Sequence, residues 1–258
     1  MLEQLALGYA ATFALSASRV GGFVAVSPLP GDHAPLQARV GLVMVLAVVV
    51  TPIVTFPGQA PEIGLALLVP AFTELAVGLL IGLVFRFLLG AADVLGGVLS
   101  QAVGLGMPSL FNPAAGTQDT AIGELMSLFA MILALAVGAH RVVLAYLLES
   151  FRAVPVGSAV HVASSAPLFF ELAGKAVEVG AHLAMPVVAT AVAIQLVLAL
   201  VARAAPSMQI FSIGFTVLLM VGFGTLLASL PAIASGLVDH LAGMGSALDR
   251  LLSGFVLR

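Results

Sequence analysis

Arg19, Glu74, Arg86, Glu124 and Arg141 each stand alone inside a long apolar run. A charge at the centre of a bilayer costs roughly 2.5 to 3.5 kcal/mol even on the lenient insertion scale, so each of them needs a partner. Two chemistries would meet that need. One is a relay for protons or substrate, and the other is pairing between helices or a place near the headgroups. No run holds two carboxylates one helical turn apart. Catalytic patterns are absent as well. His33, His140, His161, His182 and His240 fall in no H-E-x-x-H or comparable ligand spacing, and no G-x-S-x-G elbow presents a serine nucleophile. With no cysteine, thiolate metal sites, disulfides and a cysteine nucleophile are excluded. The expectation is no catalytic residue, no metal and no cofactor.

A second kind of chemistry resides in the backbone. Gly104-Leu105-Gly106-Met107-Pro108-Ser109-Leu110-Phe111-Asn112-Pro113-Ala114-Ala115-Gly116 is as apolar as a membrane helix, yet three glycines and two prolines break it. Irregular backbone at membrane depth is tolerated only where protein or a water-filled cavity surrounds it. The stretch therefore reads as an element that lines or closes a pore, with an ordinary surface hairpin loop as the alternative. A phosphate cradle is disfavoured, because no Lys follows the glycines and no strand precedes them.

The elements that must carry these residues are helices. Of 258 residues, 61% are hydrophobic and 8% charged, with a mean hydropathy of +1.21. A soluble domain averages about a quarter charged residues, so the excess apolar surface must face lipid or other proteins. The long runs lack the alternation of barrel strands, and only helices and closed barrels satisfy their backbone in lipid. Nine Lys and Arg against twelve Asp and Glu build no basic stripe, which argues against nucleic acid. Met1, Leu2, Glu3 and Gln4 lack the positive start of a secretory signal, so the first apolar run is expected to be retained.

Measured against the roughly 20 residues of one crossing, the runs are Leu5 to Val26, Val40 to Phe56, Ile63 to Leu89, Val94 to Leu110, Ala121 to Leu148, Val179 to Val201 and Ile210 to Leu230. A turn is expected between Arg86 and Asp93, and loops at Ser27 to Asp32, Pro57-Gly58, Asn112-Pro113 and Ala205-Pro206-Ser207. Gly78 and Gly82, then Gly96, Ser100 and Gly104, repeat every four residues and predict close helix packing. Glu149 to Glu178 is the most soluble stretch and divides the chain. Within it, Glu171 and Lys175 predict an i,i+4 pair on a short exposed helix. At the C-terminus, Leu237, Leu241, Met244, Leu248, Leu251 and Phe255 form a stripe at spacings of four and three, opposite Asp239, Ser246, Asp249, Arg250 and Ser253. Such an amphipathic helix is expected on a membrane surface or against a partner. Nine basic residues are too few to orient the chain by the positive-inside rule.

Several segments together resemble the FliR family, the flagellar biosynthesis subunit with relatives in injectisomes. They are Arg19-Val20-Gly21-Gly22 with Pro28; Ala34 to Leu42; Glu74 to Gly82; Gly97, Gln101 and Gly104 to Met107 leading to Asn112-Pro113 and Gly116; Gly138-Ala139-His140; Glu149-Ser150-Phe151 with Pro155 and Gly157; and Arg203 to Phe215. Asn112 stands where the family often has Asp, Gln209 where Asn is usual, and Thr216 where Pro is common.

The resemblance implies an all-α, membrane-associated fold of hydrophobic helical hairpins, packed into a multi-subunit helical export gate. It implies a FliP-like part over 1–175, with a plug loop near 104–116, and a FliQ-like hairpin over 176–258 ending in the amphipathic helix. It also implies FliP, FliQ and FlhB as partners, in the bacterial inner membrane and flagellar basal body. The function implied is structural and gating, moving unfolded export substrates across that membrane. Gly104, Gly106, Met107, Phe111, Asn112, Pro113 and Gly116 would form the plug. Glu74, Arg86, Arg203, Leu248 and Leu251 would make contacts between subunits or helices. The competing reading is a multi-helix secondary transporter for a small solute, with broken helices and paired charges near the midplane.

Overall fold

The computed structural model describes residues 2–29, 31, 34–54, 67–104, 121–158, 162–204 and 210–256. Every regular element among them is helical. In chain order they are α1 (Leu2–Val26), α2 (Leu36–Val50), α3 (Leu68–Ala102), α4 (Ala121–Ala136), α5 (Ala139–Ala153), α6 (Ala166–Ala204), α7 (Ile210–Ala242) and α8 (Met244–Val256), with 3-10 turns at Thr51–Ile53 and Val162–Ser165. The expected loop at Pro57-Gly58, most of the 104–116 stretch and the Ala205-Pro206-Ser207 loop lie outside the described residues.

Three helices run longer than the apolar runs suggest. α3 has 35 residues and passes unbroken through Arg86 and Asp93, where a turn was expected. The residues between those charges are good helix formers apart from Gly90, and Leu88, Ala91 and Ala92 are buried. Arg86 and Asp93 merely occupy the exposed side of a continuous helix. α6 has 39 residues and contains both ends of the expected short helix, starting at Ala166 with Pro167 in its first turn, where a missing N–H costs nothing. α7 runs through Gly214-Phe215-Thr216 without a break, as the absence of proline at 216 allows. At 1.5 Å per residue α3 and α6 extend about 52 and 58 Å, well beyond a hydrocarbon core of roughly 30 Å.

Elsewhere one run becomes two helices. Ala121 to Leu148 breaks at Val137-Gly138, where Gly138 adopts a left-handed conformation with φ 76°. The chain forms two compact units, the described parts of Met1–Leu88, Gly138–Leu172 and Ala242–Arg258 in one, and of Leu89–Val137 and Ala173–Leu241 in the other. The boundary anticipated at 175/176 falls inside α6.

In the first unit, α1 packs on α2 and, through glycines, on the first half of α3. A Cβ on Gly78 would overlap the carbonyl of Arg19, one on Gly22 would overlap that of Leu75, and one on Gly82 would come within 2.7 Å of that of Phe23. Small residues here let the two backbones touch, which substitutes for the hydrophobic drive that lipid removes. Leu15, Phe23, Ile81, Phe85, Leu147 and Leu248 are fully or almost fully buried around that seam and under α5 and α8.

The second unit has a smaller-grained core. Ala91, Ala92, Leu95, Leu99, Ile122, Met126, Ala130, Ala184, Val187 and Ile233 are among its buried residues from α3, α4, α6 and α7. Gly96 of α3 lies on Gly123 of α4, where an added Cβ would stand 2.6 Å from the Gly123 Cα. On the same pair of helices the hydroxyl of Ser127 donates to the Asp93 carboxylate.

Candidate functional site

The most polar buried feature is a network centred on Arg19 and Glu74 in the first unit. The close approach of α1 and α3 at Gly78 brings both side chains into one dry seam, with Arg19 0% and Glu74 1% exposed. The Arg19 Nε–H donates to Glu74 Oε2 at 2.5 Å. Nη1 donates to the Ser150 carbonyl at 2.8 Å and to its Oγ at 3.3 Å, and Nη2 donates to the Val154 carbonyl at 2.9 Å. The guanidinium also lies over the Phe151 ring, 4.3 Å from its centroid. Glu74 Oε1 accepts the Gly157 N–H at 2.8 Å.

Each partner supplies what the other lacks. The Ser150 carbonyl takes the Val154 N–H at the end of α5, Arg19 adds a second donor there and supplies one to the Val154 carbonyl, and a cation at a helix C-terminus also meets the favourable end of the dipole. Gly157 adopts φ 82°, a conformation a side chain disfavours, and so turns its N–H to the carboxylate. Both carboxylate oxygens and all three guanidinium nitrogens are therefore engaged. Each carboxylate oxygen is committed to a partner on another element, and the arrangement holds three helices and a turn in place. Of the two chemistries open to these charges, Glu74 and Arg19 realise pairing between helices.

The other singled-out charges behave differently. Arg86 is exposed and reaches the Val26 carbonyl at 3.5 Å. Glu124, Arg141 and Arg203 are exposed. Glu171 meets a cation far along the chain. Its two oxygens take the Nη1 and Nη2 donors of Arg250 at 2.9 and 2.6 Å. Leu248 and Leu251 are 0% and 1% exposed, covered within the first unit where α8 packs on α5 and on the Val162–Ser165 turn. The C-terminal stripe thus faces inward, whereas the sequence placed it on a membrane surface or a partner.

Of the plug residues only Gly104 is described. It ends α3 with φ 85°, its N–H bonded to the Gln101 carbonyl at 3.1 Å. Gly106, Met107, Phe111, Asn112, Pro113 and Gly116 lie outside the described residues. One turn before Gly104, Gln101 lines an open groove of about 620 Å³ between α3 and α6, together with Val94, Gly97, Val98, Val188 and Gln195. Among the described residues no cluster of three or more His, Cys, Asp or Glu is arranged to hold a metal ion.

Sequence reasoning named Glu74 and Arg19 but not their partners. Ser150, Val154 and Gly157 lie 131, 135 and 83 residues from the side chains they meet. No periodicity links positions that far apart. The only hint was their grouping in the segment Glu149-Ser150-Phe151 with Pro155 and Gly157.

Residues 10–244 match the model of the family described as Bacterial export proteins, family 1. The chain belongs to that family. Its curated relatives include the flagellar biosynthetic protein FliR of Aquifex aeolicus (strain VF5), 28% identical over 245 residues and 95% of each chain. FliR of Caulobacter vibrioides is 28% identical over 229 residues, 88% of this chain and 91% of the relative. FliR of Escherichia coli (strain K12) is 26% identical over 226 residues, 86% and 85% of the two chains. Membership in the export family, with five helices among the described residues long and apolar enough to cross a membrane, makes this a membrane protein of an export apparatus and disfavours the solute transporter.

Proposed function

We propose that the chain is a structural and gating subunit of a flagellar type III protein-export channel, through which unfolded substrates cross the bacterial inner membrane at the flagellar basal body. The family match over residues 10–244 carries this reading. The surface agrees with it. Only 17% of the apolar window of α2 is buried, and Leu36, Val40, Val45, Val48 and Val49 on that helix are more than half exposed. Such a face needs lipid or neighbouring subunits, and FliP, FliQ and FlhB are the partners proposed, with a FliP-like part over 1–175 and a FliQ-like hairpin over 176–258.

The subunit performs no bond chemistry in this reading. The Arg19–Glu74 network fixes the first unit, and the stretch from Gly104 to Gly116 closes the conduit at rest, with Met107 and Phe111 as apolar stoppers. Arg86, which reaches the Val26 carbonyl, and Arg203 are both exposed and are assigned to contacts between helices or subunits. Purification of the tagged chain from native membrane is the test. Recovery with other export subunits, and raised ion leakage on deleting Met107 to Phe111, are expected. A chain isolated alone that binds a small solute, in cells whose motility is unaffected by its loss, overturns the proposal.

A further inference from the structure

Five exposed charges of the first unit lie on two of its helices. α5 carries Arg141, Glu149 and Arg152, and α8 carries Asp249 and Arg250, all exposed. These two short helices pack against each other. Tyr146 of α5 donates its hydroxyl to Asp249 Oδ1 at 2.6 Å. Arg152 pairs with Glu149 at 3.0 Å, and Arg250 clasps both oxygens of Glu171 at the start of α6. The members of that last pair are 57% and 55% exposed.

Met244, Ala247, Leu248, Leu251 and Leu252, the apolar stripe of α8, are buried. What α8 turns outward is Ser246, Asp249, Arg250 and Ser253. A helix in hydrocarbon requires the reverse, an apolar outside with polar groups turned inward, because lipid offers exposed ions and hydroxyls no hydrogen bonds. By length and composition alone, Gly214–Phe255 could pass for one span. The direction of its faces separates α8 from the part before it.

We propose that α8 and the outer face of α5, tied by Tyr146–Asp249 and Arg250–Glu171, form a water-facing surface on one side of the membrane, so that α8 does not cross the bilayer. Glu149, Arg152, Glu171, Asp249 and Arg250 then lie on that same side, and the final apolar crossing belongs to α7. The inference needs the chain to be in a membrane but does not depend on its being an export gate.

The absence of cysteine makes the test direct. Single-cysteine variants of the full chain, Ser246→Cys and Ser253→Cys, are placed in the native membrane and treated with a charged, membrane-impermeant maleimide. The reagent is applied to spheroplasts and, separately, to inverted vesicles. Val45→Cys and Val48→Cys on the apolar face of α2 serve as comparisons, and denatured samples define full labelling. Ser246→Cys and Ser253→Cys are expected to label from the same single side, with both α2 positions at background. Labelling of 246 and 253 from opposite sides, or of neither from either side, overturns the proposal. Motility or secretion measured on the same strains reports separately on the export reading.

Discussion

Arg19 of α1 and Glu74 of α3 meet at 2.5 Å across 55 residues of sequence, in a seam from which solvent is excluded. Buried pairs of this kind are poor stabilisers when compared with an apolar replacement of both members, but losing one member strands the other, at a cost of about 3 to 5 kcal/mol. Arg19→Leu also removes the side-chain donor to the Val154 carbonyl and one of two donors to the Ser150 carbonyl. It should therefore lower stability by an amount at or above that range, and Glu74→Leu should cost less than Arg19→Leu. The double variant Arg19→Leu/Glu74→Leu should cost clearly less than the sum. Thermal unfolding in detergent, followed by helical circular dichroism, measures all three. Strict additivity would show that the pair is not coupled.

The glycines of α3 predict a contrast along one helix. At Gly78 an added methyl overlaps the Arg19 backbone, whereas at Gly90 nothing lies within 4 Å. Gly78→Ala must push α1 off α3 and should prevent recovery of folded protein. Gly90→Ala gains helix propensity, about 1 kcal/mol or less, and should melt at or slightly above the parent. Equal effects at the two sites would mean that the α1–α3 seam is not as close as described.

Much of this architecture was legible in the sequence because lipid makes composition decisive. Runs of apolar residues marked every long helix, and the repeat from Gly78 to Gly82 anticipated a tight seam. Helix ends were less legible. Arg86 and Asp93 looked like punctuation, but single charges on an exposed face leave the i to i−4 ladder intact, and α3 continues through them. Gly138 gave the opposite surprise, since one glycine with φ 76° divides a run that hydropathy reads as continuous. The partners of Arg19 were illegible for a different reason. Two of its acceptors are backbone carbonyls of Ser150 and Val154, and any residue type supplies those.

The inward stripe of α8 separates folding from assembly. Leu248 is fully buried while Ser246 is exposed. Truncating a buried Leu to Ala costs about 2 to 5 kcal/mol, and a carboxylate in its place costs more. Leu248→Asp should reduce the melting temperature of the isolated chain before any partner is considered, and Ser246→Asp should leave it near that of the parent. If Leu248→Asp melted normally yet failed to join its partners, the stripe would be an assembly surface after all.

Gly138 isolates conformational strain from steric overlap. A Cβ there would meet only the Arg141 Cδ, at 3.7 Å, so the space is open. The left-handed conformation itself is the obstacle, worth roughly 1 to 2 kcal/mol for a residue with a side chain. Gly138→Ala should therefore lower stability by about 1 kcal/mol, offset in part by the smaller entropy of the unfolded chain. Asn tolerates positive φ better than Ala, so Gly138→Asn should recover part of the loss even though it is the larger residue. A steric origin would invert that order, with Asn worse than Ala, and comparative melting of the two variants decides between them.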